Sequence, residues 1–178
     1  YISGLMKIIK VILLALILTS SNSYAGELYQ KFGVFDYKHD TDAFALTTKY
    51  IQDKNINIRL FGNLKPIHEI SFYYDNHNGT SSSQGFSTYL SSGLTKEINL
   101  SKKIFFAPSF SAGLYQEYDD AKDMGNILEF KSEIELNYNI FKNSVIGVSW
   151  SHISNADLST TNPGADNLLF NLKIKENF

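Results

Sequence analysis

The chain has 178 residues, which is the length of a single domain. It contains no cysteine, which excludes disulfides and thiolate metal sites. The net charge is −2 and no basic patch is present, so a nucleic-acid partner is excluded as well. The composition therefore indicates one disulfide-free domain, and its 13 Phe and 11 Tyr make that domain rich in aromatic side chains.

The first 25 residues differ from the rest of the chain. A positively charged segment at 6–10 precedes a continuous apolar run at 11–18, and residues 23–25 (Ser-Tyr-Ala) resemble a cleavage site. This order is typical of a secretory signal peptide, and the apolar run is shorter than the about 20 residues that a membrane-spanning helix needs. We predict that Met6 is the initiator, that cleavage follows Ala25, and that residues 26–178 form one domain.

Alternating apolar and polar residues recur through the mature region and predict strands rather than helices. The third predicted strand is interrupted at residues 63–66 and is open to division into two shorter strands. The eight predicted strands are residues 28–38, 42–51, 55–75, 85–98, 103–116, 126–141, 143–154 and 166–178.

The links between these strands alternate in length. Links at 52–54, 99–102 and 142 are short, whereas those at 76–84, 117–125 and 155–165 are longer and polar. Outer-membrane barrels alternate short periplasmic turns with long outer loops in this way when the N-terminus is periplasmic. The link at 39–41 is the exception, because it is short where a long one is expected.

Residue parity separates an apolar face from a polar face. In the sixth strand Leu128 and Phe130 share one face, whereas Glu129 and Lys131 share the other. A small barrel in lipid turns the apolar face outward, whereas a soluble sandwich buries it. The long strands, the many aromatic residues and the lack of an amphipathic helix favour the barrel, and closure leaves no unpaired backbone edge in lipid. We predict an all-β, eight-stranded antiparallel transmembrane β-barrel of the bacterial outer membrane.

The polar face of the sixth strand is predicted to line the barrel interior. We expect it to form an interior network that is structural rather than catalytic, with Lys173 or Lys175 as partner. The members of this ladder are Glu129, Lys131, Glu133 and Glu135.

The seventh strand and the loop after it hold the residues suited to catalysis. His152 and Ser154 share the apolar, lipid-facing side of their strand, and Asp166 shares parity with the apolar positions of the eighth. The two strands are antiparallel neighbours, so the three groups are expected at one rim, which is extracellular if the N-terminus is periplasmic. The alternative is that His152 and Ser154 have no catalytic role and are ordinary polar residues at a strand end near the water interface.

These three side chains suit a serine esterase. Ser154 is the predicted nucleophile, His152 the general base and Asp166 the carboxylate that orients the imidazole. Asn155, next to the nucleophile, is the predicted side-chain donor to the oxyanion. Ester cleavage by this set needs neither a metal nor a cofactor. The other histidines, His39, His68 and His77, are interpreted as loop or interface residues.

The segments His-Ile-Ser-Asn-Ala at 152–156 and Asn-Pro-Gly-Ala-Asp at 162–166 resemble the outer-membrane lipid A 3-O-deacylases, the PagL-type family. The resemblance extends from about residue 128 to residue 178. It implies an eight-stranded barrel with an active site on its outer surface. It further implies hydrolysis of the 3-O-acyl ester of lipid A by a serine, a histidine and an acidic residue.

Two positions depart from the family pattern. Asp166 stands where the family carries glutamate, and Asp157 stands where glycine is frequent. Neither departure removes a reacting group, so we expect activity that is retained but altered.

Two other functions share the same fold arguments. One is a non-enzymatic barrel for adhesion or membrane integrity, in which the triad is incidental. The other is an acyltransferase, which would need an acyl-binding cavity that the predicted polar interior argues against. For the esterase the expected partners are lipopolysaccharide as substrate and the outer membrane as location, and the sequence leaves open whether the barrel is a monomer or a homodimer.

Overall fold

The computed structural model describes residues 26–38, 43–75, 85–119, 121–141 and 144–174. The predicted signal peptide at 1–25 lies outside the described residues, as do the links predicted at 39–41, 76–84 and 142. Within the described ranges, no helix is long and apolar enough to cross a membrane.

The described residues form ten strands, which are β1 (Gly26–Val34), β2 (Phe44–Gln52), β3 (Ile56–Ile58), β4 (Gly62–Asp75), β5 (Gly85–Thr95), β6 (Ile98–Asn99), β7 (Ile104–Tyr118), β8 (Leu128–Phe141), β9 (Ser144–Ser154) and β10 (Ala165–Ile174). Eight of them form a closed antiparallel ring in the order β1, β2, β4, β5, β7, β8, β9 and β10, and β10 pairs back onto β1. The short strands β3 and β6 pair only with β4 and β7. The predicted eight-stranded barrel is confirmed.

The third predicted strand is two strands, but the division lies at 59–61 rather than at 63–66. A tight turn there carries a hydrogen bond from the Phe61 amide to the Ile58 carbonyl, and Gly62 has a φ of 74°. Pro66 stays inside β4 because β2 pairs with β4 only as far as Ile67. A proline is tolerated where its missing N–H faces no ladder partner.

The first strand ends at Val34, not at residue 38. Phe35 turns into the barrel, where its ring stacks on Tyr73 with 4.3 Å between ring centroids, and Asp36 adopts a left-handed backbone with a φ of 49°. The first connection therefore spans 35–43, so the apparent exception among the loop lengths disappears. The connections at this end of the barrel are 35–43, 76–84, 119–127 and 155–164. We call this end the loop rim.

The barrel has an apolar exterior and a polar interior. Even-numbered residues such as Phe110, Leu114 and Leu168 project outward and are more than half exposed in the isolated chain, whereas odd-numbered residues are buried. Inside, the Lys31 and Lys49 ammonium groups each lie 2.6–2.8 Å from carboxylate oxygens of both Glu133 and Glu135. Buried ions tolerate the interior because they are paired in this way.

The ladder on β8 faces the interior as predicted, but Lys173, the first of the two predicted partners, is wrong, and the second, Lys175, stays a prediction. Lys173 pairs instead with Glu27, at 2.7 Å, and Lys175 lies outside the described residues. Lys131, itself a member of the ladder, pairs with Glu69 on β4. The partners come from strands across the barrel, which parity alone does not identify.

Two hydrophobic clusters close the ends of this polar interior. The cluster at the loop rim includes Phe35, Tyr73, Tyr115, Met124 and Ile153. The cluster at the opposite end consists of Tyr29, Ile51, Ile67, Phe105, Ala107 and Val145. The loop-rim cluster gives the connections 35–43 and 119–127 a packed support, which fixes the position of the residues next to it.

Candidate active site

His152 and Asp166 meet on the outer surface of the barrel at the loop rim. They are directly paired across β9 and β10, with 3.1 Å between His152 Nδ1 and Asp166 Oδ1. The imidazole side chain is 43% exposed and the carboxylate only 10% exposed. The carboxylate is therefore shielded beneath a histidine whose ring remains accessible, which is the arrangement that a general base requires.

The backbone and carboxylate of Asp166 are both held by the segment that follows β1. The Tyr37 amide donates to the Asp166 carbonyl at 3.0 Å, and the Asp166 amide donates to Asp36 Oδ1 at 3.3 Å. Lys38 Nζ lies 2.6 Å from Asp166 Oδ2. This hydrogen bond and the negative charge of Asp166 raise the pKa of the Lys38 ammonium. Asp166 is thus fixed on both sides, by His152 and by Lys38.

The sequence analysis missed Lys38. A signal existed, because closure of an eight-stranded barrel pairs the first strand with the last. The end of β1 must then lie beside the start of β10, where Asp166 is located. Loop residues just after β1 were therefore candidates for contact with Asp166.

Ser154 is the last residue of β9 and projects from the same outer face as His152. Two residues along a strand place their Cα atoms roughly 7 Å apart. Within the described part of the chain the Ser154 hydroxyl has no hydrogen-bonding partner. The structure thus brings His152 and Asp166 into contact and places Ser154 beside them on the same surface.

Asn155 is not placed as predicted. Its odd-numbered position turns the side chain inward, where it is fully buried. The amide nitrogen donates to the carbonyl oxygens of Met124 at 2.9 Å and Thr161 at 2.8 Å. The expectation that this amide faces a developing oxyanion does not fit the geometry. Asn155 instead ties together the connections 119–127 and 155–164.

The loop after Ser154 has a defined backbone. Ala156 and Asp157 have φ values of 52° and 61°, a region that costs most non-glycine residues free energy. Asn162 supports this turn through its side chain. Its Oδ1 accepts a hydrogen bond from the backbone N–H of Asn155 at 3.1 Å, and its Nδ2 donates to Asp157 Oδ1 at 2.9 Å. Strained backbone of this kind is concentrated at functional sites in proteins.

Gly164 lies against the imidazole of His152. Its φ is 63°, and a Cβ at this position would lie 2.9 Å from His152 Cε1 and 3.3 Å from Nε2. Only glycine combines a positive φ with so close an approach to the imidazole without a shift of the ring. The Asn-Pro-Gly turn therefore shapes the space beside the histidine.

A second histidine–serine pair lies elsewhere on the outer surface. His68, which was expected in a loop or at the interface, is within β4, and its Nδ1 is 2.9 Å from Ser92 Oγ. Its Nε2 is 2.9 Å from the Gln52 amide rather than a carboxylate. A neutral amide does not stabilise an imidazolium, so this pair lacks the third member of a triad. His39 and His77 lie outside the described residues. No group of side chains in the described ranges could hold a metal ion.

A closed eight-stranded antiparallel barrel with an apolar exterior and a paired polar interior belongs to the class of outer-membrane β-barrels. Within this class, the family model described as lipid A 3-O-deacylase (PagL) matches residues 56–175, so the chain belongs to that family. The resemblance stated from residues 128–178 is confirmed, and the match extends well upstream of them.

Solved structures show the same fold. The crystal structure of the outer membrane enzyme PagL is 17% identical in sequence, with a TM-score of 0.57 over 84% of this chain and 99% of that one. The crystal structure of Neisserial surface protein A (NspA) is 9% identical, with a TM-score of 0.58 over 85% of this chain and 94% of that one. A comparison with curated proteins finds no match.

Proposed function

We propose that this chain is an outer-membrane serine esterase that hydrolyses the ester-linked 3-O-acyl chain of lipid A. The observation that carries the proposal is the hydrogen bond between His152 and Asp166 on the lipid-facing surface, in a member of the lipid A 3-O-deacylase family. Ser154 projects from the same face, two residues along β9. Polar groups on a lipid-facing surface are costly and are retained mainly for function.

The chemistry follows from the roles of the three groups. His152 Nε2 takes the proton from Ser154 Oγ as the oxygen attacks the ester carbonyl, and Asp166 stabilises the resulting imidazolium through Nδ1. Collapse of the tetrahedral intermediate breaks the bond to the sugar oxygen, which receives the proton from His152. Water, activated by the same histidine, then hydrolyses the acyl-serine and releases the free hydroxy fatty acid.

We assign the oxyanion site to backbone amides rather than to the Asn155 side chain. Among the described residues, no acceptor lies within hydrogen-bond distance of the backbone N–H groups of Ala156 and Asp157, two and three residues after the nucleophile. Both residues have positive φ values, so the turn diverges from the strand direction at this point. Backbone donors fixed in advance stabilise a developing oxyanion effectively, because they need no reorganisation during the reaction.

The proposed site is located at the outer leaflet. With a periplasmic N-terminus, β9 runs outward and ends at Ser154 on the extracellular side. The long connections at the loop rim support this orientation, since long loops of such barrels are extracellular. The outer leaflet holds lipopolysaccharide, so the proposed substrate reaches the triad by lateral movement in the membrane.

The test is expression in a Gram-negative host with hexa-acylated lipid A, followed by mass spectrometry of the extracted lipid A. The parent is compared with Ser154→Ala and with two serine controls on the outer surface. Ser132 lies opposite His152 on β8, and Ser92 contacts His68. We expect the parent, Ser132→Ala and Ser92→Ala to remove one hydroxyacyl chain, and Ser154→Ala to remove none.

The other outcomes separate the alternatives. Loss of activity in Ser132→Ala with retention in Ser154→Ala would assign the nucleophile to β8. Loss in Ser92→Ala alone would move the site to His68. Unmodified lipid A in the presence of correctly inserted parent barrel would favour the non-enzymatic barrel.

A further inference from the structure

Four consecutive residues after β1 surround the start of β10. Phe35 is buried in the loop-rim cluster, and Asp36 accepts a hydrogen bond from the Asp166 amide. Tyr37 donates its own amide to the Asp166 carbonyl, and Lys38 contacts the Asp166 carboxylate. This segment therefore positions one residue of β10 through its N–H, its C=O and its side chain.

Lys38 and His152 divide the Asp166 carboxylate between them. Oδ2 lies 2.6 Å from Lys38 Nζ, and Oδ1 lies 3.1 Å from His152 Nδ1. Because each oxygen has its own charged or polar partner, rotation of the carboxylate away from the imidazole would break a charge-assisted hydrogen bond. An aspartate, one methylene shorter than glutamate, depends strongly on such support to keep its reach to the histidine.

We propose that Lys38 is a positioning residue that holds the Asp166 carboxylate against His152 Nδ1; this inference rests on the proposed esterase function. The hydrogen bond from Lys38 to Oδ2 restricts the carboxylate to the orientation in which Oδ1 meets Nδ1.

Among the described residues, few other side chains contact this pair. Asp166 faces the ring from β10, the uncharged Ser132 lies opposite on β8, and Gly164 packs on the ring from the loop. The Asp36 carboxylate, which accepts from the Asp166 backbone amide, also forms a buried ion pair with Lys122. Lys38 is therefore the contact whose removal should free the Asp166 carboxylate to rotate.

The kinetic test compares Lys38→Met and Lys38→Arg with the parent in purified barrel, with dispersed lipid A as substrate. For Lys38→Met we expect kcat to fall about 10- to 100-fold with KM within about twofold, as for a misaligned catalytic group. Lys38→Arg should restore most of kcat.

A second measurement is independent of turnover. Imidazole NMR in a Ser154→Ala background observes the Nδ1–H proton of His152, which is hydrogen-bonded to Asp166, with and without Lys38→Met, and His152→Asn identifies the signal. Loss or a clear upfield shift of this signal in Lys38→Met supports the proposal, because the hydrogen bond to Asp166 is then weaker. An unchanged signal overturns it, even if the parent enzyme is fully active. If the parent leaves lipid A intact while the signal still changes, the esterase proposal fails and the positioning of Asp166 by Lys38 stands.

A substrate-binding role for Lys38 would give a different result. If the ammonium group contacted a lipid A phosphate, Lys38→Met would raise KM and leave kcat unchanged. The rise would also be larger with bis-phosphorylated than with monophosphorylated lipid A. That outcome would overturn the positioning role.

Discussion

His152 and Asp166 occupy directly opposed positions on β9 and β10, and their side chains join through one hydrogen bond of 3.1 Å between Nδ1 and Oδ1. Asp166→Asn keeps the shape of the side chain but removes the negative charge that, in the proposed mechanism, stabilises the imidazolium and fixes the tautomer of the neutral imidazole. We expect kcat for lipid A deacylation to fall by about 10²–10⁴, a range that extends to the loss seen when a triad aspartate is neutralised in a protease. The rate of fatty-acid release from dispersed lipid A measures this.

Asp166→Glu is the matched control for the loss of charge. It keeps the carboxylate and restores the residue typical of the family, so we expect activity within about 10-fold of the parent. Equal and complete loss in both variants would show that packing at this position, rather than charge, limits the reaction.

Gly164 should be intolerant of a side chain because of His152. In Gly164→Ala the new Cβ would lie 2.9 Å from the imidazole Cε1, and the φ of 63° adds a strain of about 1–2 kcal/mol. We expect a loss of kcat of at least about 10-fold, because the ring must move. Gly62→Ala is the control, since Gly62 has a φ of 74° but the nearest atom to its added Cβ, Lys96 Nζ, is 3.7 Å away. It should lose stability and keep its activity.

Asn155 should affect activity indirectly, by keeping the connection 155–164 ordered. Asn155→Ala leaves the Met124 carbonyl oxygen without the Asn155 donor, at a cost of about 1–3 kcal/mol for a buried group, and leaves the Thr161 carbonyl with only its Ser159 donor among the described residues. We expect faster proteolysis in the segment 155–164 together with reduced kcat. A fall in kcat of about 10²–10³ with an unchanged cleavage pattern would instead return the oxyanion role to this side chain.

The interior ion network should dominate the stability of the barrel. Lys49→Met removes a buried cation that lies 2.8 Å from Glu133 and 2.6 Å from Glu135, and leaves those carboxylates undercompensated. We expect a loss of about 3–5 kcal/mol in the free energy of unfolding. Urea unfolding from phospholipid vesicles measures this.

Two further variants identify the cause of that loss. Adding Glu133→Gln to Lys49→Met restores the charge balance and should recover part of the stability. Lys102→Met, at an exposed position, should change it by less than about 0.5 kcal/mol. An equal loss in Lys49→Met and in the double variant would argue against a charge effect.

Local sequence patterns were sufficient to predict the strands of the barrel and the face of the sheet from which each side chain projects. Alternation with a period of two predicted eight strands and placed His152, Ser154 and Asp166 on the outer face, because strand geometry alone fixes parity. The end of β1 was misjudged for a related reason. Residues 35–38 continue a strand-like pattern, and only the left-handed backbone of Asp36 shows that the strand has ended.

Contacts across the barrel could not be predicted from local sequence patterns. The lysines that neutralise Glu133 and Glu135 come from β1 and β2, more than 80 residues away in the sequence. The side-chain amide of Asn155 points inward and donates to the carbonyl oxygen of Met124, which lies in the connection 119–127. Such partners are defined by barrel closure and loop packing, not by neighbours in the chain.

The sequence by itself determined the outer-membrane barrel, its lipid-facing surface and the family, because parity, loop lengths and a short motif are local properties. Only the tertiary structure decided how Asp166 is held, since Lys38 reaches it through the pairing of β1 with β10. It also decided that Asn155 supports the loops rather than facing the nucleophile. Both depend on closure of the barrel, which brings together segments that lie far apart in the chain.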